Sequence, residues 1–577
     1  MTNKIALKIG GAAGQGVKTS GYILTKALKD LGHWTFSYSE YPSLIRGGHS
    51  TFQINIDERK IHSVTAKIDI LVALNIETIK LHYKEIKESG ILLCDNDFEI
   101  PSEVKKYLDE NNIKHIKVTV EEIVKKHNGK PVMNNSVITG AVWALLTSEY
   151  KSLENKVNEI FKEKSKDIQT NLNCTKDGFE LVKNGDYPKF ELKAKEVKNR
   201  ILGTGNEVAG LATYASGCRL YCAYPMTPST GILHYLAQRA DKFDMIVKQA
   251  EDEITAVQMT IGGSFAGTRS ACGTSGGGLA LMTESLSLIG MIETPVVIFD
   301  SQRPGPATGT PTWTEQGDLD FVSKAGHGEF PRIIIAPGDI DEVFELVPEA
   351  FNLAEKYQTL VIILLDKFLS ESWYQTDKFS GKDIKVEREG LLSQEELNKQ
   401  KDFERYALTD SGISPRSIPG QENGVYCANS DEHDGKGYST EDLDLRNKMM
   451  EKRMKKLDGI KSSLPEPELF GDKDAKTTVV CWGSQKGPVL DAVNELNSNG
   501  KSINMLHFSY VFPLKTEKLS KLAKENKLIA VENNFAGQLA KIIKEEAGID
   551  VKERVMKYDG TPFFTDELVD ILSKKIN

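Results

Sequence analysis

The sequence predicts a multidomain α/β protein built around parallel sheets, and three observations carry that prediction. At 577 residues the chain far exceeds what one hydrophobic core organises, so three or four domains are expected. Apolar runs of strand length alternate with stretches of helical period, the pattern of covered parallel strands. Three loops rich in glycine, proline or hydroxyl groups, and a fourth rich in carboxylates, each follow directly on one of those apolar runs.

Residues 1–195 read as a first, Rossmann-like domain. IALKI is a strand, GGAAGQG a glycine loop and TSGYILTKALKDLG a helix, with Ile23, Leu24, Ala27, Leu28 and Leu31 on one face. WTFSYS and TFQINI alternate at period two, while DILVAL and ILLCD are continuous runs typical of covered strands. Residues 196–380 repeat an α/β unit: strands at 218–224, 244–248, 269–274 and 295–300, helices at 204–216, 229–240, 252–266 and 277–292, then RIIIAP and LVIILLD. Residues 381–474 are polar and loop-rich, a connecting segment that ends in a basic helix, LRNKMMEKRMKKLDGI, expected to present a solvated face. Residues 475–577 form a last α/β domain, with TTVVCWGS, INMLHFSYVF and KLIAVENN as strands.

Composition narrows the function. A net charge of -9 argues against nucleic acid or an anionic membrane as the main partner. No apolar run approaches the roughly 20 residues of a membrane span. The opening MTNKIALKIG enters a strand pattern without a signal peptide, and the seven cysteines include no CxxC pair, so a reduced, cytoplasmic protein is expected, without a thiolate site for zinc or an iron–sulfur cluster. Cys218 and Cys222 read as core, and the acidic loop Asp431 to Asp434 lacks metal-ligand spacing.

The four loops are YPMTPST, QAEDE, GTSGGG and SQRPGPATGTPT, all at the carboxyl ends of strands in one parallel sheet, the edge where such sheets bind ligands. Arg303 offers a planar fork for a carboxylate; Thr227, Thr310 and Thr312 add hydroxyls; Gly276, Gly277 and Gly278 permit close backbone approach. Glu251, Asp252 and Glu253 stand at a helix start, where a carboxylate complements the helix dipole or turns inward to handle a proton. In the first domain GGAAGQG suits a phosphate at a helix N-terminus but misses both the G-x-G-x-x-G and the P-loop spacing; a dinucleotide with Glu40 on its ribose is one reading.

These blocks, together with GGAAGQG…YPSLIRGGHS, RYALTDSGISPRSIPG and VENNFAGQLA…KYDGTPF, resemble the α subunit of 2-oxoacid:ferredoxin oxidoreductases carrying a fused N-terminal γ domain, as in 2-oxoglutarate synthase. Met226 stands where isoleucine is usual. The resemblance implies a γ domain on the coenzyme A side, a pyrimidine-type thiamine-diphosphate domain and a C-terminal domain like that of transketolases, the last serving assembly. It implies a β subunit, in a heterodimer or its dimer, that shares thiamine diphosphate and holds Mg2+ and an iron–sulfur cluster, with ferredoxin as electron acceptor and coenzyme A as co-substrate. It implies that Glu253 bonds N1′ of the cofactor's aminopyrimidine, buried and with a raised pKa, and that Thr227 and Arg303 bind the substrate carboxylate, with Thr310 and Thr312 on the substrate side. Coenzyme A contacts are implied for Gly14, Gln15, Gly16, Arg46, Gly47 and Gly48. The fused architecture and SQRPGPATG favour 2-oxoglutarate, with pyruvate or a branched-chain 2-oxoacid as alternatives and a non-catalytic scaffold binding coenzyme A or a nucleotide as the rival function.

Overall fold

The structure is a computed structural model that describes residues 4–44, 47–162, 167–196 and 199–576. Its contacts divide the chain into two compact units, Met1–Gly203 with Ser372–Lys378 and Phe564–Leu572, and Thr204–Glu371 with Phe379–Phe563 and Ser573–Asn577. No helix among the described residues is long and apolar enough to cross a membrane.

The first unit is built on an eight-stranded sheet, in the order Lys114–Val118, Ile86–Asp95, Ile68–Ala73, Ile5–Ala12, His49–Asp57, Trp34–Glu40, Trp373–Asp377 and Arg200–Thr204. The first four strands are parallel, as their continuous apolar runs require. His49–Asp57 then pairs antiparallel with both Ile5–Ala12 and Trp34–Glu40. Period-two alternation puts Phe52, Ile54 and Ile56 into one core with Ile5, Leu7 and Ile9, under the helix Val17–Asp30, whose Ile23, Leu24, Ala27 and Leu28 are buried as the sequence predicts.

In the second unit a seven-stranded sheet runs Tyr510–Phe512, Arg332–Ile335, Leu360–Asp366, Val296–Gln302, Ser270–Thr274, Leu220–Ala223, Ile246–Gln249. All pairs are parallel except that of Tyr510–Phe512. Four successive strands at one end of this sheet therefore aim their carboxyl ends, and the four marked loops, at one edge. A five-stranded sheet, Glu468–Gly471, Asn504–Phe508, Thr477–Trp482, Lys527–Glu532, Glu553–Met556, lies in the same unit.

The structure corrects three readings. INMLHFSYVF is not one strand: after Phe508 the chain leaves the five-stranded sheet, and Tyr510–Phe512 joins the edge of the seven-stranded one. The helix at 277–292 is two helices, Gly276–Leu281 and Thr283–Ile292. The basic helix, Leu443–Ser463, is not simply solvated. Its Lys452 and Lys456 are buried with their ammonium groups 2.6 and 2.5 Å from the Glu293 carboxylate, and Arg453 pairs with Glu432. One helix face thus carries cations inward because a distant element supplies the counter-charge. Cys218, Cys222 and four of the other five cysteines are buried, as core residues.

Candidate active site

The turn that follows Leu220–Ala223 is pinned from two sides. The side-chain amide of Asn206 donates to the Pro228 carbonyl at 2.8 Å, and Arg303 Nη1 donates to the Thr227 carbonyl at 2.7 Å. Arg303 itself extends from the end of Val296–Gln302, so two strand-end loops are joined through one guanidinium.

The three carboxylates of QAEDE separate cleanly. Glu251 is exposed, and Asp252 caps the helix Glu253–Phe265, its Oδ1 accepting from the Thr255 amide at 2.7 Å. Glu253 turns inward and is only 4% exposed, with Oε1 buried and unpartnered among the described residues. A buried polar atom without a partner is costly, which makes it a marker for a missing ligand. The backbone at Gly278 closes on it: a methyl group there would meet Thr274 Oγ1 and lie 2.7 Å from Glu253 Cγ. Thr274 Oγ1 in turn faces Met226 Sδ at 3.9 Å, which ties the YPMTPST turn to the Glu253 pocket.

Arg303 feels negative charge from Asp318, Asp300 and Glu253, although burial pulls its pKa down overall. Thr227, Glu253 and Arg303 are therefore brought together. Thr312, on the same loop as Arg303, is 5% exposed with its hydroxyl unpartnered among the described residues, whereas Thr310 stands exposed.

Sequence reasoning missed the acids around Arg303. Asp300 is fully buried with neither oxygen partnered among the described residues; burial first, then the charge of Asp318, raises its pKa well above the carboxylate range against the pull of Arg303. Burial raises Asp318 to about 6 against Arg303, and burial with the Asp318 charge raises Glu315 to about 7. The one available signal was an aspartate ending an otherwise apolar run, VVIFD.

The first unit holds a separate cavity of about 320 Å3 whose lining includes Gly14, Gln15, Leu74, Asp95, Phe98 and Asn135. Gly16 (φ 83°) turns the chain into Val17–Asp30, and a side chain there would collide with the Asn135 amide. Gln15 Oε1 accepts from the Ala12 amide at 2.7 Å, and the Gly48 carbonyl accepts from Ala13, so the second glycine segment abuts the first. Gly47 is open to solvent-side space, Arg46 lies outside the described residues, and Glu40 accepts a hydrogen bond from Thr51 on the neighbouring strand.

Residues 211–452 match a family model described as "Pyruvate flavodoxin/ferredoxin oxidoreductase, thiamine diP-bdg", and residues 6–181 one described as "Pyruvate ferredoxin/flavodoxin oxidoreductase". The 2-oxoacid:ferredoxin oxidoreductase subunit alpha of a Sulfolobus species is 33% identical, over 99% of this chain and 97% of its own. The chain belongs to the 2-oxoacid:ferredoxin oxidoreductase family. Among other oxidoreductases of this family, the 2-oxoglutarate oxidoreductase subunit KorA of Mycobacterium tuberculosis is 27% identical over 98% of this chain and 90% of its own. A solved structure described as "2-oxoglutarate:ferredoxin oxidoreductase from Magnetococcus marinus with 2-oxoglutarate, coenzyme A and succinyl-CoA bound" superposes with a TM-score of 0.93 at 28% identity, covering 100% of both chains. As an α subunit of a 2-oxoacid:ferredoxin oxidoreductase, the chain is part of a multisubunit enzyme and carries its family's thiamine-diphosphate-binding domain.

Proposed function

We propose that this α subunit works with a β subunit to convert 2-oxoglutarate and coenzyme A to succinyl-CoA and CO2, passing electrons to ferredoxin. The observation that carries the reading is Glu253: a buried carboxylate with an orphaned oxygen, in a glycine-walled recess beside Arg303 and Thr227. Such a recess fits a flat heteroaromatic ring that presents a protonatable nitrogen, as the aminopyrimidine of thiamine diphosphate does. When bound, thiamine diphosphate supplies a nucleophilic carbon and an electron sink for the 2-oxo group.

The chain's own residues do the rest. Glu253 Oε1 holds a proton at the ring nitrogen, a general acid–base role contributing about 10²–10⁴-fold. Arg303, steadied through its bond to the Thr227 carbonyl, receives the 1-carboxylate, and the hydroxyls of Thr227 and Thr312 fix its plane. Gly14, Gln15 and Gly16, with Gly47 and Gly48, would cradle coenzyme A at the cavity of the first unit, where the N-terminus of Val17–Asp30 favours a phosphate. The β subunit would bring Mg2+ and an iron–sulfur cluster. Tyr224, Ile254 and Leu281, all exposed on elements that border Glu253, support a protein partner over this edge. The full-length likeness to an enzyme solved with 2-oxoglutarate and coenzyme A supports that substrate pair.

The test is coenzyme A-dependent reduction of a viologen dye by the co-expressed complex, with 2-oxoglutarate, pyruvate and branched-chain 2-oxoacids compared. Glu253→Gln is expected to lower kcat by about 10²-fold or more. Arg303→Ala is expected to lower kcat/KM by about 10–10⁴-fold, from one or two lost charge-assisted bonds of ~1.5–3 kcal/mol each. Near-normal turnover in both, with the complex intact, would return the chain to a scaffold role.

A further inference from the structure

The carbonyls of Thr227 and Pro228 are consecutive, and each is held by a side chain from elsewhere in the chain. Arg303 Nη1 donates to the first at 2.7 Å and Asn206 Nδ2 to the second at 2.8 Å. Arg303 receives the substrate in the reading above; Asn206, buried, has no part in it. Asn206 stands in the first turn of the helix Gly205–Ala215, whose start is fixed by a capping box. The Thr204 hydroxyl accepts from the Glu207 amide at 3.3 Å, and Glu207 Oε2 accepts from the Thr204 amide at 3.0 Å. Two glycines then leave the Asn206 side chain one place to lie. A methyl group at Gly205 would stand 2.3 Å from the Leu369 carbonyl, so the helix start is seated directly on that backbone. A methyl at Gly231, in the first turn of the helix Thr230–Ala237, would stand 2.5 Å from Asn206 Nδ2 and 2.8 Å from its Cβ. The amide is wedged between that helix and the turn that precedes it.

The other half of the same amide argues against a role in stability alone. Asn206 Oδ1 is buried without a partner among the described residues. An amide buried with one half unpaired loses in desolvation at least what its single bond returns, so an apolar side chain of the same shape would hold the fold as well. What the asparagine adds is a directed donor. The next residue of the turn is seated separately: Tyr221 Oη and Ser229 Oγ lie 2.1 and 2.8 Å from where a methyl at Gly273 would stand. Residues 227, 228 and 229 are thus held one by one, from a strand-end loop, a helix start and the sheet beneath. Arg303 braces on the Thr227 carbonyl, so its guanidinium is placed only as well as that carbonyl is.

We propose that Asn206 is a positioning residue for 2-oxoacid binding: through the Pro228 carbonyl it fixes the Thr227–Pro228 backbone, on which Arg303 braces and which carries the Thr227 hydroxyl. The proposal rests on the substrate reading of Arg303 and Thr227. Asn206 acts through these two and needs no contact with the substrate itself. Without its donor the Pro228 carbonyl is left unpaired by Asn206, the turn relaxes, and the Arg303 fork loses register with the carboxylate. A misplacement of about 1 Å in such a site costs about 10²-fold in rate.

Steady-state kinetics of the co-expressed complex test it, with Asn206→Ala and with Asn206→Leu, which keeps the volume of the side chain and removes its polar groups. Both are expected to lower kcat/KM for the 2-oxoacid by about 10–10²-fold, mainly through KM. KM for coenzyme A and the thiamine diphosphate needed for half-activation are expected to move less than about twofold. A merely structural role would move all three together, or be restored by the leucine. Arg303→Lys closes a double-mutant cycle. Because Asn206 acts through the arginine fork, adding Asn206→Ala to Arg303→Lys is expected to cost less than about threefold more. The proposal is overturned by a leucine variant within about threefold of wild type, by losses that simply multiply in the double variant, by a loss shared equally among the three constants, or by failure of both variants to assemble with the β subunit. Wild-type kcat/KM in Arg303→Lys overturns the substrate reading and the proposal with it; a normal Asn206→Leu beside an impaired Arg303→Lys overturns the proposal alone.

Discussion

A single methyl group at Gly278 tests whether Glu253 is the working carboxylate. The added carbon would collide with Thr274 Oγ1 and sit 2.7 Å from Glu253 Cγ and 2.9 Å from Oε1. Thr274 is fully buried within a central strand and has no room to retreat, so the longer Glu253 side chain must swing away. Overpacking of this kind costs ~1–3 kcal/mol in stability, a fall of a few degrees in Tm for a chain of this size. The catalytic loss is larger, because a displaced carboxylate forfeits its acid–base contribution of about 10²–10⁴-fold. The assay is 2-oxoacid- and coenzyme A-dependent dye reduction, with thermal melting in parallel. Gly277→Ala is the internal control, since a methyl there meets only the Ala307 carbonyl at 3.6 Å. The reasoning is refuted if Gly278→Ala keeps kcat within about threefold of wild type, or if Gly277→Ala is as damaging.

Glu293→Gln should lower stability at pH 7 by ~3–5 kcal/mol, because it strips the counter-charge from buried Lys452 and Lys456. Burial already holds Lys452 down at about 8 against the pull of Glu293; with that pull gone both lysines favour the neutral form at lower pH still, so the Lys452 share of the deficit should shrink as pH rises towards about 8 and level off above it, and a deficit growing with pH in Tm scans would contradict this. Gly16→Ala places a side chain at φ 83° against Asn135 and should raise KM for coenzyme A by about tenfold or more, with KM for the 2-oxoacid unmoved in the same assay. Thr312→Val removes a buried hydroxyl that has no partner among the described residues; kcat/KM should fall about tenfold while Tm holds or rises, and a falling Tm with unchanged kinetics would assign the hydroxyl to folding instead.

The position of the site was legible because it follows from topology. Once residues 204–366 are read as strands alternating with helices, the sheet must be parallel and the loops after Ala223, Gln249, Thr274 and Gln302 must share an edge. Residues as far apart in sequence as Thr227 and Arg303 then become neighbours. Which of Glu251, Asp252 and Glu253 faces inward was not fixed by that argument. It is settled by capping: Asp252 spends its oxygen on the Thr255 amide, which makes Glu253 the first helical residue and turns its side chain toward Gly278.

Charge was less legible than position, for one physical reason. A run of lysines and arginines reads as a solvated face when nothing nearby in sequence opposes it, yet Lys452 and Lys456 meet Glu293, at the end of a helix in the sheet region. The same holds in reverse for Asp300. In VVIFDSQ it looks like the first polar residue of a loop, whereas the strand continues to Gln302 and leaves the carboxyl in the interior, where it feels the charges of Asp318 and Arg303. Local pattern reports which face of an element is apolar; the ionisation of a buried group depends on what distant segments bring to it. For that reason neither the burial of Asp300 nor the bond from the Asp318 amide to Gln302 could be read from local sequence.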